Sequence, residues 1–267
     1  LQPGSDAYLN VVRKINATAI AHVYEENAGA AARLLPLSQQ LASFRNTVIA
    51  TATENLTLGQ NSGPGPLFAD AMIWLTGARI AIEQRGGVKT NLNAGNITVG
   101  NVLSVLPYGG TIVLMNLTGQ QIKDALEDGC DYQIGKGWDW FPYVSGMTYA
   151  VVNSQAVPKG QRIRSLKVKN TDGSFSDLDL AATYRAVTNN FLAGGGDGFT
   201  ALKNAGTDIG LIDADVFGDY LRFLGTVGNP AEQRVTVLTA IAGYRMRPVA
   251  RLPLRYETVP FHFRKAA

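Results

Sequence analysis

The amino-acid sequence predicts an α+β fold, a mixed β-sheet with flanking helices, preceded by an N-terminal helical hairpin. Helical and strand patterns intermix along the chain without strict β-α-β alternation, which favours a mixed sheet over a purely parallel one. Hydrophobic residues make up 46% of the 267 residues and charged residues 17%, a composition that can bury one large core and is unlike that of a disordered chain. No stretch approaches the ~18 apolar residues of a spanning helix, so no membrane span is expected.

The first 47 residues are expected to form the hairpin. Ser5 and Asp6 can cap a helix whose apolar positions recur at three- and four-residue steps to about Glu26. A second helical pattern covers residues 30–45 and is interrupted at Pro36, because proline lacks the N–H that a helix interior uses. We therefore interpret residues 1–47 as a helical hairpin or linker.

The main domain is predicted to cover residues 48–225, with a C-terminal extension over residues 226–267. Residues 59–66 are rich in glycine and proline and predict a loop. Apolar periodicity places the other elements. Strands are predicted at 48–52, 78–82, 111–117, 147–152, 165–168 and 184–188, with helices at 67–75, from 118 onward and at 213–224, and a short helix or loop at 99–105.

Charge and the rare residue types narrow the function classes. The net charge of +3 comes from lysines and arginines spread along the sequence, which favours a solvated surface over a track for a nucleic acid polymer. Cys130 is the only cysteine, so we expect a small buried thiol rather than a disulfide or metal ligand. His22 and His262 are the only histidines and lie far apart in the chain. The sequence therefore predicts no catalytic residue, metal site or other cofactor in this chain.

Three glycine-bearing turns lie beside predicted strands. They read Gln-Arg-Gly-Gly-Val-Lys at 84–89, Leu-Pro-Tyr-Gly-Gly-Thr at 106–111 and Asn-Phe-Leu-Ala-Gly-Gly-Gly-Asp-Gly-Phe at 190–199. Glycine lets a backbone approach a ligand closely, and an aromatic residue in such a turn can present its ring to that ligand. A carboxylate among glycines can accept hydrogen bonds from a sugar or a base. Each turn alone is most simply a turn, but together they predict a binding site.

In this order, the three turns resemble the C-terminal, substrate-binding domain of the 5'-nucleotidase family. Segments 117–127, 144–147 and 212–216 follow the same family pattern, and the resemblance covers roughly residues 48–224. The resemblance implies the fold given above and a role in recognising a nucleoside or nucleotide during nucleotide catabolism. It also implies a periplasmic or extracellular location.

The resemblance assigns roles to individual residues. It implies that Tyr108 and Phe191 hold the base between their rings, which is chemically apt because every base offers a π-face. It places Asp197 beside the nucleoside, and Gly195 and Gly196 where the backbone passes close to the ligand.

The sequence also departs from the family pattern in the first turn. Lys89 stands where the family has an arginine, so it can reach a phosphate but cannot make a bidentate contact. Gln84 and Arg85 replace an asparagine and a smaller residue, and Arg85 either fills space that the ligand needs or supplies a cation to it. We therefore expect the phosphate group to be bound weakly.

Hydrolysis in this family resembles two-metal phosphoester chemistry, and its ligand motifs do not occur in these 267 residues. The resemblance thus implies that a divalent metal pair belongs to an N-terminal metallophosphatase domain, which would be a partner of this one. Two alternatives stay open at this point. One is a non-catalytic binding or scaffold module with a degenerate pocket, and the other is a relative that acts on a cyclic nucleotide or a sulfur-anion ester.

Overall fold

The computed structural model of the chain describes residues 28–239. The chain divides into two compact units, Leu1–Thr47 and Val48–Ala267. The described part of the first unit contains helix α1 (Ala28–Arg45), which continues through Pro36 instead of being interrupted there. The first helix of the expected hairpin, over residues 5–26, lies outside the described residues.

The second unit contains strands and helices that alternate irregularly. The helices are α2 (Pro64–Thr76), α3 (Val99–Val105), α4 (Gly119–Gly135), α5 (Asn190–Ala193) and α6 (Asp213–Leu224). The strands are β1 (Val48–Ala52), β2 (Ile80–Glu83), β3 (Gly95–Thr98), β4 (Thr111–Thr118), β5 (Tyr143–Ser145), β6 (Met147–Asn153), β7 (Ile163–Lys169), β8 (Phe175–Asp177), β9 (Thr183–Asn189), β10 (Gly206–Ile212), β11 (Thr226–Val227) and β12 (Val235–Thr239). The predicted α+β class with mixed strand pairing is confirmed.

The strands form three sheets. The central one has the order β10-β4-β9-β2-β5, in which β2 is parallel to β9 and the other pairs are antiparallel. A second sheet has the order β12-β6-β7-β8 and a third the order β11-β1-β3. Both described strands beyond residue 225 join these sheets, β11 beside β1 and β12 beside β6. The assignment of residues 1–47, 48–225 and 226–267 to a hairpin or linker, a main domain and a C-terminal extension stays a prediction.

Local sequence signals explain where the helices begin. Thr98 and Thr118 start α3 and α4 with capping boxes, in which each threonine side chain accepts from the backbone N–H of the residue three positions on. Helix α2 begins at Pro64, inside the segment expected to be loop. Proline is tolerated in a first helical turn because that N–H has no helical partner, so the loop is shorter than predicted.

Two buried apolar clusters stabilise the second unit. One lies around α2 and α6, where Phe68 meets Phe217 edge to face with ring centroids 5.9 Å apart. The other lies around α4 and includes Cys130, which is a buried free thiol as expected. Burying each large apolar side chain contributes about 1.5–3 kcal/mol, so these clusters fix the sheet from which the site residues extend.

Sheet direction brings the three glycine-bearing turns to one edge. The parallel strands β2 and β9 both end there, and the antiparallel strand β4 begins there, with Ile112 opposite Asn189. Residues that follow β2, precede β4 and follow β9 must therefore be neighbours. We call turns 84–89, 106–111 and 190–199 together the three-turn edge.

Candidate functional site

The first turn of the three-turn edge holds its polar groups close to the backbone. Gln84 is buried, and its side-chain Oε1 accepts a hydrogen bond of 3.0 Å from Asn189 Nδ2. Lys89 is exposed, donates from Nζ to Gly86 O at 3.3 Å and places that nitrogen 5.5 Å from the centroid of the Tyr108 ring. The cation of the turn therefore lies against one of the predicted clamp aromatics, at a distance typical of a cation–π contact.

Arg85 belongs to the same turn but points toward a different group. Its guanidinium Cζ lies 4.8 Å from the centroid of the Trp140 ring, and its Nη1 donates to Val88 O at 3.1 Å. The guanidinium is thus engaged with an aromatic face outside the three turns.

The second turn exposes Tyr108. The side chain is 68% exposed, although tyrosine usually buries much of its ring. The following backbone is anchored to α6, because Gly110 N donates to Asp213 Oδ2 at 3.1 Å and Asp213 N donates to Gly110 O at 2.8 Å. An anchored backbone with a largely exposed ring is what a stacking surface requires.

The third turn exposes Phe191, which is 50% exposed. Asn189 caps the short helix α5, since its Oδ1 accepts from Leu192 N at 2.8 Å. The Phe191 ring lies against Gly196, where a Cβ would stand only 2.5 Å from ring carbons. A side chain at 196 would therefore displace the ring, which rests directly on backbone.

Asp197 connects the third turn to the first. It is half-buried and has a left-handed backbone with φ 49°, which is uncommon outside glycine and tolerated best by Asp and Asn. Its Oδ2 lies 3.7 Å from the position that a Cβ would take on Gly86. A carboxylate held here faces the bare backbone of the first turn and can accept hydrogen bonds from a ligand hydroxyl.

The second and third turns are also joined directly. Thr111 N donates to Asn190 Oδ1 at 3.2 Å, which ties the start of β4 to the residue before Phe191. Contacts therefore link all three turns, through Lys89 and Tyr108, through Gly86 and Asp197, and through Thr111 and Asn190.

A buried carboxyl group lies beneath the three-turn edge. Glu83 is the last residue of β2, and Asn189 Nδ2 lies 2.9 Å from each of its carboxyl oxygens. Burial raises the pKa of Glu83 well above its usual range, and the charges of Asp213 and Asp197 raise it further, while hydrogen bonds from Gln84 N–H and Asn189 oppose the shift. Burial likewise raises the pKa of Asp213 to about 6, against hydrogen bonds from the Ala214 and Gly110 N–H groups. The pKa values of both groups are thus raised, as expected when acids share a desolvated site.

Tyr132 of α4 is a further polar neighbour of the edge. The charge of Asp197 raises the pKa of the Tyr132 phenol, and desolvation and a hydrogen bond between the two side chains add to this. The phenol therefore stays protonated beside the carboxylate and can orient it.

The structure places the sequence-predicted residues Gln84, Lys89, Tyr108, Phe191, Gly195, Gly196 and Asp197 on the three-turn edge. Arg85 belongs to the same turn as Gln84, but its guanidinium turns toward Trp140. The role of each in binding stays a prediction. Sequence reasoning missed Glu83 and Tyr132, although a single glutamate ending the apolar run Ile80-Ala81-Ile82 was a visible signal of a special site.

Within residues 28–239, no three His, Cys, Asp or Glu residues are grouped so that they could hold a metal ion. The carboxyl groups near the three-turn edge thus do not fit a two-metal centre, and no metal-dependent step is derived from them. His22 and His262 lie outside the described residues. Across that described range, no helix is long and apolar enough to cross a membrane.

Comparisons with known proteins agree with this architecture. The chain is 37% identical over 173 residues to the trifunctional nucleotide phosphoesterase protein YfkN of Bacillus subtilis, a match that covers 62% of this chain and 12% of that protein. It is 33% identical over 165 residues to the snake venom 5'-nucleotidase of Gloydius brevicauda, covering 58% of this chain and 28% of that protein. The chain thus spans only a minor part of the curated relatives that it matches.

A solved structure extends the similarity to the fold. The 5'-nucleotidase precursor of Thermus thermophilus superimposes with a TM-score of 0.69 at 40% identity, over 80% of this chain and 44% of that one. The family model described as the 5'-nucleotidase C-terminal domain matches residues 48–204, which is more than half of the chain. The chain therefore belongs to the 5'-nucleotidase C-terminal domain family.

Proposed function

We propose that this chain is the nucleoside-recognition part of a nucleotide phosphoesterase that takes part in nucleotide catabolism. One observation carries the proposal: Tyr108 and Phe191 expose their rings from neighbouring turns of a domain of this family. In the proposed complex the base lies between these rings, and Asp197 accepts hydrogen bonds from the sugar hydroxyls.

The phosphate is expected to contribute little to binding. Lys89 offers a single point charge, and its ammonium group already donates to Gly86 O beside the Tyr108 ring. A lysine cannot make the bidentate contact that an arginine makes with a phosphate. Adenosine and its monophosphate are therefore expected to bind within about tenfold of each other, roughly 1.4 kcal/mol.

Hydrolysis is assigned to a metallophosphatase domain of a longer protein, because two-metal phosphoester chemistry needs a ligand set that residues 28–239 do not offer. The chain alone is expected to show no turnover of a nucleoside monophosphate with added Mn²⁺ or Zn²⁺. A periplasmic or extracellular location is part of the proposal, and the similarity to a snake venom protein supports it.

Calorimetric titration with adenosine tests the clamp. Tyr108→Ala and Phe191→Ala should each weaken binding by about 1–3 kcal/mol, the usual contribution of one aromatic stack. Phe223→Ala is the matched control, because Phe223 is an exposed ring of the same domain that packs on Trp74 in a tilted arrangement, with centroids 5.2 Å apart. Equal effects of all three substitutions would contradict the clamp.

Titration with the monophosphate separates the remaining possibilities. If it binds far more tightly than adenosine and Arg85→Ala removes the difference, Arg85 supplies the phosphate contact and the expectation of weak phosphate binding is wrong. Failure of both ligands to bind would favour the scaffold module. Preference for a cyclic nucleotide or a sulfur anion over both would favour the other alternative.

A further inference from the structure

Asp213, the first residue of α6, lies against the turn that carries Tyr108. Its Oδ2 accepts a hydrogen bond of 3.1 Å from Gly110 N, and its own backbone N donates to Gly110 O at 2.8 Å. A Cβ on Gly110 would stand only 2.7 Å from the same Oδ2, so the carboxyl group rests directly on the backbone two residues after Tyr108. The second turn is therefore held to α6 by one bond that involves the carboxyl group and one that does not.

The same glycine also lies beside the third turn. A Cβ on Gly110 would be 3.3 Å from Asn190 Oδ1, and that oxygen accepts a hydrogen bond from Thr111 N at 3.2 Å. Asn190 directly precedes Phe191 in the chain. The side chains of Asp213 and Asn190 thus converge on Gly110 and Thr111, so a change at the Asp213 carboxyl group acts where the turns of both exposed aromatic residues meet.

The hydrogen bond to Gly110 favours the charged form of Asp213. The residue is only 6% exposed, and burial raises the pKa of its carboxyl group to about 6, whereas hydrogen bonds from the N–H groups of Ala214 and Gly110 lower it. A bond that lowers the pKa of an acid is stronger when that acid is ionised, because the two effects are linked. The Gly110 N–H is therefore held more tightly by the carboxylate than by the neutral acid, by roughly a factor of two in bond strength.

Other acids surround this position. In addition to burial, the charge of Asp215 on the same helix raises the pKa of Asp213, and the charge of Asp213 in turn raises the pKa of the buried Glu83 at the end of β2. Asp208 of β10 accepts a hydrogen bond from Thr111 Oγ1, which lowers the pKa of that carboxyl group. Asp208 therefore keeps its charge above about pH 5, whereas Asp213 changes its charge near pH 6.

We propose that Asp213 is a positioning residue of the nucleoside site, whose carboxylate form holds the Tyr108 turn in the geometry that binds the base. The inference rests on the proposed function and adds a regulation of that site by pH. Protonation weakens the bond from Gly110 N but leaves the bond from Asp213 N to Gly110 O, so the turn loosens without detaching. Because Asp213 is already nearly buried, a bound base removes little further water from it, and the hydrogen bond decides the sign. Nucleoside affinity should therefore rise with pH through about 6.

Calorimetric titrations of the whole chain with adenosine from about pH 5 to 8 test this role, since adenosine itself carries no group that titrates in this range. The dissociation constant should fall about fivefold as pH rises, which is the difference between a neutral and a charge-assisted hydrogen bond. Asp213→Asn replaces the acid by an isostere of its neutral form, so its affinity should match the wild type at the low end and stay constant with pH. Asp215→Asn is the matched control. It should keep the pH dependence with a lower midpoint, because a charge that raises the pKa of Asp213 is removed.

The wild type alone supplies a second readout, which does not depend on these variants folding. Binding of adenosine near pH 6 should release a fraction of a proton, and titrations in buffers of different ionisation enthalpy measure this release. A loss of affinity through unfolding would show the opposite trend, since burial of Asp213 makes the folded protein less stable as pH rises from 3.8 to 6.

Two groups of results would contradict the proposal in different ways. An affinity that does not change with pH, no proton release, or a pH dependence that persists in Asp213→Asn would overturn the positioning role while leaving the clamp intact. Absence of adenosine binding at every pH would overturn the proposed function as well.

Discussion

Glu83 and Glu127 are both buried glutamates of the same domain, yet their carboxyl groups meet different partners. Glu127 of α4 accepts hydrogen bonds from three backbone N–H groups, those of Gly160, Arg162 and Ile163, at 2.8–3.2 Å. Glu83 accepts one backbone N–H, that of Gln84, at 3.1 Å and otherwise relies on the Asn189 side-chain amide. Fixed backbone donors stabilise a charged carboxylate, whereas neighbouring acids and burial disfavour it.

The two glutamates therefore differ in role: Glu127 connects elements of the fold, whereas Glu83 lies under the candidate binding site. Glu127 joins α4 to the loop that leads into β7, and these hydrogen-bond donors belong to none of the three turns. Glu83 instead lies under the turns, where Asp213 and Asp197 raise its pKa in addition to burial. Strongly perturbed acids collect at functional sites more often than elsewhere, so the second arrangement supports the proposed binding role.

Removing the Glu127 carboxylate should have the largest effect on stability. Glu127→Ala leaves the buried N–H groups of Arg162 and Ile163 without their acceptor, and each orphaned donor costs about 1–3 kcal/mol. The free energy of unfolding in urea should fall by about 3 kcal/mol. Asp177→Ala is the control, because its 3.8 Å pair with Lys167 is exposed and such pairs contribute about 0–1 kcal/mol. Equal losses for the two variants would mean that Glu127 is not the structural acceptor described.

Asn189→Ala should have an intermediate effect, because it removes both the cap of α5 and the amide that faces Glu83. Loss of a helix cap costs about 1 kcal/mol and loss of a buried hydrogen bond about as much again, so a total near 2 kcal/mol is expected. Nucleoside affinity should fall as well, since Phe191 follows in the capped turn.

Asn189→Ser separates the two contributions. Serine can still cap α5 but is too short to reach Glu83, so it should recover about half of the stability lost in Asn189→Ala. Full recovery would show that the Glu83 contact contributes nothing.

Glu83→Gln should have a small effect on stability near pH 4.5, and the effect should grow as pH rises. The pKa of Glu83 is raised in the folded protein, so the native state holds a proton that the unfolded chain releases above its ordinary value near 4.5. Stability therefore falls as pH rises from that value toward the raised pKa. Glutamine removes this dependence, so the stability of the variant relative to the wild type should increase over the same window.

The pKa of Asp213 is also raised, from its ordinary 3.8 to about 6. Asp213 therefore lowers the stability of the folded protein as well when pH rises from 3.8 to 6. Both proteins retain Asp213, so the comparison reports the titration of Glu83 together with its interaction with Asp213. Parallel stability curves from about pH 4 to 8 would contradict the raised pKa of Glu83.

Much of the fold could be predicted from local patterns. Some elements are each encoded within a dozen residues. They are the threonine caps, the apolar stripe of α6 and the strands at 48–52 and 147–152. The short strands β5 and β8 escaped notice because three residues carry no readable period. Pairing partners supply most of the reason that such segments are strands, and a partner is not visible in the segment itself.

The candidate site was likewise predictable only in part. Glycine, proline and aromatic residues mark the three turns in the sequence, and strand direction then brings the turns to one edge. Glu83 and Asn189 could not be paired from sequence, because they lie 106 positions apart and meet only through parallel strands.

The contact between Phe191 and Gly196 has a practical meaning for protein engineering. Gly196 does not have the positive φ of Gly195 or Gly198, so an alanine there would meet no backbone strain. The added methyl would instead meet the ring carbons of Phe191 and displace that side chain. In the proposed complex, a side chain at position 196 would therefore change the space beside Phe191 that a ligand can use, while both aromatic residues are kept.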